Sequence, residues 1–219
     1  VDKNEQGIQA MMEKDYEKAG QLFHEIIEAE PNNPLGYINF GNLLFHLQEF
    51  ERAERFFLKA IQLDNQAVAA HYELGNLYFE QSKYPKAQES FQKAISLGLE
   101  DADVYFMLGL TLQNQDQPKL ALPYLLRATE INPNDEEILF QYGLALAQSD
   151  HIKDAEEVFN KILNINGNHA DAHYNLGVIA LFKEDMNKAK SHFEKSLSIQ
   201  SDHLLAANGL RNIEALMNQ

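Results

Sequence analysis

The chain contains no cysteine. That excludes a disulfide framework, a thiolate metal site and a cysteine nucleophile, and it fits a reducing cytoplasm. Positive charge is scarce: 18 lysines and arginines face 33 acids, for a net charge of −15 and a pI near 4.9. A sequence-blind grip on nucleic acid needs a positive surface, so neither DNA nor RNA is an expected partner. The same charge argues against an anionic membrane surface. No apolar run approaches the roughly 18 residues that a membrane-spanning helix needs. No hydrophobic segment follows Val1-Asp2-Lys3-Asn4-Glu5, so no signal peptide is expected. Phosphate loops, Gly-x-Gly-x-x-Gly, Gly-x-Ser-x-Gly and His-Glu-x-x-His are all missing, and neither an enzyme nor a cofactor is expected. What remains is 45% hydrophobic and 23% charged residues in a chain of 219. That is enough to bury a core and too apolar for a disordered tail.

The chain repeats itself every 34 residues. Glycine falls at Gly7, Gly41, Gly75, Gly109, Gly143 and Gly177, and alanine at Ala19, Ala53, Ala87, Ala121, Ala155 and Ala189. Six glycines in register arise by chance on the order of once in ten million, given average usage. With the glycine numbered position 8, position 24 holds Phe23, Phe57, Phe91, Leu125, Phe159 and Phe193. Position 27 holds Ile26, Ala60, Ala94, Ala128, Ile162 and Ser196. Apolar positions 4, 7, 8 and 11 form one helical stripe and positions 20, 24 and 27 another, so each repeat is two amphipathic helices, A and B. A 34-residue period is not a multiple of seven, which excludes a heptad coiled coil. Glycine at 8 and alanine at 20 are explained if the two helices approach closely there, with the large residue at 24 beside them.

The pattern aromatic-x2-Leu-Gly-x2-Tyr/Leu, then Ala-x3-Phe-x2-Ala, then Pro resembles the tetratricopeptide repeat (TPR). It is carried by Tyr37-Ile38-Asn39-Phe40-Gly41-Asn42 and by Gln117-Pro118-Lys119-Leu120-Ala121-Leu122-Pro123-Tyr124, and it covers nearly the whole sequence. The chain looks most like the small stand-alone bacterial members of that family. The resemblance implies an all-α, right-handed solenoid of six helix hairpins. Its concave wall is made by the A helices and its usual activity is holding a peptide segment of a partner. The expected organisation is a single array over 1–219, with repeats at about 1–33, 34–67, 68–101, 102–135, 136–169 and 170–203. Lys3 and Gln6 stand where apolar residues belong, so the first A helix should be short or frayed. A last helix at about 202–217, N-capped by Ser201 or Asp202 and apolar at Leu204, Leu205, Ala207, Leu210, Ile213 and Leu216, should cap the sixth repeat. Pro118 starts a helix harmlessly, whereas Pro123 lies inside helix B of repeat 4 and frees the carbonyl of Lys119.

Positions 2, 5, 6, 9, 12 and 13 of helix A point away from its packing stripe, where a merely solvated helix places charge. Over repeats 2 to 6 they hold seven aromatics, eight amides, five acids and no lysine or arginine. The basic residues of those repeats lie at positions 14 to 26, in the A–B turn and on helix B. Amides both donate to and accept from a peptide backbone. Aromatics supply contact area with little entropy to lose. The acids favour a basic or neutral segment over an acidic one. The expected peptide-binding residues are Asn42, Phe45, Tyr72, Asn76, Phe79, Phe106, Gln113, Phe140, Gln141, Tyr174 and Asn175. Part of this face also packs neighbouring helices together. The TPR clamp for a C-terminal carboxylate is not expected: its positions read Ile38, Asn42, Glu73, Asp103 and Met107, and of these Asn42 alone fits.

His169 and His173, four apart around Asp171, come nearest to a metal-ligand spacing. His173 occupies packing position 4, as His71 does, and no metal is expected. Glu25, Glu28, Glu156 and Glu157 read as helix-B surface acids. The expected function is a cytoplasmic, non-enzymatic adaptor that binds a partner's segment in the A-helix groove. The alternative is a scaffold that self-associates through its last helix or works through its outer surface.

Overall fold

The structure, a computed structural model, describes residues 2–217. Thirteen α-helices and no strand occur among the described residues: α1 (Lys3–Met12), α2 (Tyr16–Ala29), α3 (Pro34–His46), α4 (Phe50–Leu63), α5 (Val68–Glu80), α6 (Tyr84–Ser96), α7 (Ala102–Gln113), α8 (Pro118–Ile131), α9 (Glu136–Gln148), α10 (Ile152–Ile165), α11 (Ala170–Phe182), α12 (Met186–Ile199) and α13 (Leu204–Met217). Odd-numbered helices through α11 are the A helices and even-numbered ones the B helices. They fall into two compact units, residues 1–115 and 116–219. The first holds α1 to α7, the second α8 to α13. Within each, helices pack on their sequence neighbours as successive hairpins.

The hairpin seam follows from the period. A Cβ built on Gly41 would meet the Phe57 ring at 2.6 Å, and one on Gly75 would meet Phe91 at 2.6 Å. The same contact recurs between Gly7 and Phe23, Gly143 and Phe159, and Gly177 and Phe193. Phe23, Phe57, Phe91, Phe159 and Phe193 are fully buried, as is Leu125, and the six alanines of position 20 are inaccessible to solvent. Burying each ring contributes about 1.5–3 kcal/mol. A side chain at position 8 would take the space the ring occupies, so glycine is set by packing against the large residue, at some expense in helix propensity.

Each A–B turn contains one residue in the left-handed region: Lys14, Gln48, Ser82, Asp116, Asp150 and Glu184, with φ between 56° and 69°. They too stand 34 apart, and none is glycine. The following N–H reaches back to close the A helix, as from Glu49 to the Leu44 carbonyl at 2.9 Å and from Lys83 to that of Tyr78 at 2.8 Å. Those bonds satisfy carbonyls that a helix end leaves open and offset the backbone strain. A-helix starts are capped by side chains: Asn33 Oδ1 accepts from Leu35, Asp101 from Asp103, and Asp135 from Ile138.

At ten residues α1 is shorter than the other A helices, as Lys3 and Gln6 suggested. Pro123 is exposed, and α8 runs unbroken through it.

The last helix departs from expectation in two ways. Its cap is His203, not Ser201 or Asp202: the Ala206 N–H donates to His203 Nδ1 at 3.1 Å. Its buried face is Ala206 and Ile213, joined by Leu210 against Ala180, Ala189 and Phe193 of the sixth repeat. Leu204, Leu205 and Leu216 are 76%, 59% and 56% exposed instead. Gly209, two residues before the 34-residue frame would place it, lies against the Phe193 ring. A cap has no following repeat to match, so its register is set by the ring it must cover.

Candidate functional site

All eleven residues expected to line a peptide groove are half-buried. Tyr72, Phe140 and Tyr174, at position 5, set one edge against the position-24 ring of their own repeat, with centroids 5.8–5.9 Å apart. Phe45 and Phe79, at position 12, lean on Phe50 and Tyr84 at the start of the next B helix, both at 5.7 Å. These rings therefore brace the hairpin with one edge. Phe106 and Gln113 lie half-buried on α7.

In the first unit part of this set gathers around a cavity of about 450 Å³. Its lining is Ile8, Met11 and Met12 of α1, Phe23 of α2, Asn39, Asn42, Phe45 and His46 of α3, and Glu73 of α5. Asn42 and Phe45 were expected there. Ile8, Met11 and Met12 were not, because the first repeat was set aside as irregular, although they hold its positions 9, 12 and 13. The Asn39 amide donates to Asn4 Oδ1 at 3.0 Å and ties α3 to α1. Among the described residues no lysine or arginine lines the cavity.

Glu73 is the anionic group in this cavity. The Asn76 amide donates to its Oε2 at 3.3 Å, and the Asn42 side chain lies close enough to pull its pKa down as well. Burial holds its carboxyl above the ordinary value of 4.5, against the pull of those two amides and of nearby His46. Asn42 Oδ1 is buried and has no hydrogen-bond partner.

Tyr72 lines a second cavity of about 270 Å³ with Leu99, Asp101 and Asp103. Burial, reinforced by the charges of Asp103, Glu73 and Asp101, raises its phenol pKa. Phe79, Phe106 and Gln113 line neither cavity.

In the second unit the corresponding amides serve their own helix. Asn175 donates to the Asp171 carbonyl at 2.9 Å and Gln141 to Glu137 Oε1 at 2.9 Å. The three residues with metal-like spacing go three ways. His169 caps α11 by accepting the Ala172 N–H at 3.2 Å and stacks on Phe140. His173 lies between α11 and α12, 3.1 Å from His192 Nδ1, and burial lowers the pKa of both rings. Asp171 faces His203 at 3.1 Å.

Two of the helix-B acids are ion-paired rather than merely solvated. Lys183 and Lys188 both contact Glu156, the latter at 2.8 Å, and they hold its carboxyl below the usual range. Lys3 does the same for Glu25.

Tetratricopeptide repeat families match residues 10–60 and 112–177, residues 68–97, and residues 170–203, and a TPR repeat family matches residues 41–82. A search of curated proteins returns no match. Among solved structures the chain is similar to YrrB, described as a TPR protein with an unusual peptide-binding site. The two are 42% identical, with a TM-score of 0.83, and the match covers 86% of this chain and 97% of YrrB. The fold is also shared with pilF of Pseudomonas aeruginosa, at 18% identity and a TM-score of 0.78 over 97% of this chain and 95% of that one. MamA shares it at 24% identity and a TM-score of 0.71 over 75% of this chain and 90% of its own. With the glycine–phenylalanine seam recurring at the repeat period, the chain belongs to the tetratricopeptide repeat family.

Proposed function

We propose that this chain is a non-enzymatic adaptor that holds an extended, basic or neutral peptide segment of a partner protein along its A-helix face. The observation that carries the reading is the cavity at α1, α3 and α5, which among the described residues combines amides, thioethers and two phenylalanine rings with one carboxylate and no lysine or arginine. Peptide binding described for YrrB, a 42% identical relative, supports it. Asn42, Phe45, Tyr72, Asn76, Phe79, Phe106 and Gln113 form the proposed face in the first unit, and Phe140, Gln141, Tyr174 and Asn175 its equivalent in the second. The net charge of −15 disfavours nucleic acid and anionic lipid as partners. No helix among the described residues is long and apolar enough to cross a membrane. The absence of cysteine supports a cytoplasmic setting.

Affinity capture from the native cytosol tests the proposal. The double variants Asn42→Ala with Phe45→Ala, and Asn76→Ala with Phe106→Ala, should lose partners that the unaltered chain retains. Unchanged partners for both would remove the groove assignment.

One observation favours a second reading, self-association: Leu204 and Leu205 are 76% and 59% exposed at the start of α13. Deleting α13 would also uncover Phe193, so substitution is the cleaner probe. If Leu204→Ser with Leu205→Ser converts an oligomer into a monomer by light scattering, the second reading gains what the first loses.

A further inference from the structure

We propose that the Glu73 cavity is a subsite for a lysine side chain of the docked segment. The inference rests on the peptide-docking reading and adds the chemistry of one ligand group. Glu73 is half-buried, and its neighbours are the Asn76 and Asn42 amides and the His46 ring. Among the described residues no lysine or arginine forms an ion pair with it. The cations near other acids are engaged, Lys183 and Lys188 with Glu156 and Lys3 with Glu25. A carboxylate taken from water and left without a counter-charge is unfavourable, and a cation supplied by a partner removes that penalty.

The neighbouring acceptor narrows the class. Asn42 lies beside Glu73 and pulls its pKa down, and since a carboxylate only accepts hydrogen bonds, Nδ2 is the Asn42 atom suited to face it. Asn42 Oδ1 is buried and unpartnered. The cavity thus offers a carboxylate, with an unpaired amide oxygen buried beside it. A primary ammonium is a compact point charge with three freely rotating donors, so it pairs with the carboxylate and reaches that oxygen once the Asn42 amide turns toward the cavity. A guanidinium fork is built for two coplanar carboxylate oxygens, and here Oε2 already receives Asn76.

The walls complete the match. Ile8, Met12 and Phe45 give the cavity an apolar mouth, with Ile8 45% and Met12 75% exposed. A lysine buries its methylene stem along such a surface while its charged end reaches a polar group. Thioethers adapt to a flexible stem at small energetic cost.

The test uses the full chain and an array of N-acetylated random dodecapeptides, so that no α-amine competes. The expected selection is lysine beside apolar residues. By calorimetry on the best peptide, Nε-acetylation of that lysine should weaken binding by about tenfold or more, and arginine in its place should also bind more weakly. Glu73→Gln should abolish the difference between lysine and acetyl-lysine while melting no lower than the unaltered chain. The acetyl-lysine comparison needs no variant, so a folding failure of Glu73→Gln leaves the proposal testable. Peptides that bind equally well with lysine, acetyl-lysine or arginine, and that Phe45→Ala still weakens, would overturn the lysine subsite and leave peptide docking intact. If no peptide binds, docking itself fails and the subsite with it.

Discussion

Glu73 and Glu156 are the same side chain in two regions with opposite electrostatics. Glu156, on helix B of the fifth repeat, is held by Lys183 and Lys188, which lower its pKa. Glu73, on helix A of the third repeat, has two amides and His46 beside it but no lysine or arginine, and burial raises its pKa. The B-helix carboxylate is balanced within the chain. The A-helix carboxylate is not, and the adjacent Asn42 Oδ1 is not satisfied either. A carboxylate without a lysine or arginine on one helix and a doubly ion-paired one on the other distinguish a site open to an outside cation from a surface balanced within the chain.

The seam beneath both faces sets the scale for breaking this comparison. Phe91→Ala empties a fully buried site and should lower unfolding free energy by about 3–5 kcal/mol in urea titrations. Gly75→Ala, whose Cβ would sit 2.6 Å from that ring, should cost about 1–3 kcal/mol through overpacking. Retention of full stability would mean that the ring has room to yield and that glycine is not set by packing.

The two carboxylates then sharpen the contrast with opposite signs. A folded-state pKa below the unfolded value contributes stability that is present above the unfolded pKa and lost as pH falls through the folded one. Glu156→Gln should therefore destabilise by about 0.5–1 kcal/mol at neutral pH and low salt, and by little in high salt or acid. A raised pKa works the other way: its stabilising contribution is present below the unfolded value and lost as pH rises through the folded value. Glu73→Gln, the smallest effect, should raise Tm by about 1–3 °C at neutral pH, with the gap closing as pH falls below the ordinary 4.5. Equal shifts of one sign for both variants, in thermal melts across pH, would erase the distinction between the faces.

The seam was legible because period and chemistry agree: a column of glycines, one of alanines and one of large residues name the faces that meet. The left-handed turn residues recur just as regularly, yet Lys, Gln, Ser, Asp, Asp and Glu share no side-chain signature. That conformation is imposed by hydrogen bonds closing the helix, not by residue type. Asn42 and Phe45, which line the cavity at α1, α3 and α5, stood out in the sequence because a solvated helix would have charge at their positions. Ile8, Met11 and Met12 were overlooked because two polar residues made their repeat look irregular, although the cavity depends on all three. The buried face of α13 was misread at Leu204, Leu205 and Leu216 because the frame was extended past the point where a neighbour enforces it.

By itself the sequence determined that the chain is all-helical, that a glycine, alanine and large-residue seam recurs every 34 residues, and that lysine and arginine are kept off one face of every A helix after the first. Those properties are local and periodic, and they follow from helical spacing alone. Tertiary structure decided which half-buried residues share a cavity, that Glu73 meets amides where Glu156 meets lysines, and that His203 caps the final helix. Each of these depends on which side chains reach one another across helices, a matter of distance that no repeat pattern encodes.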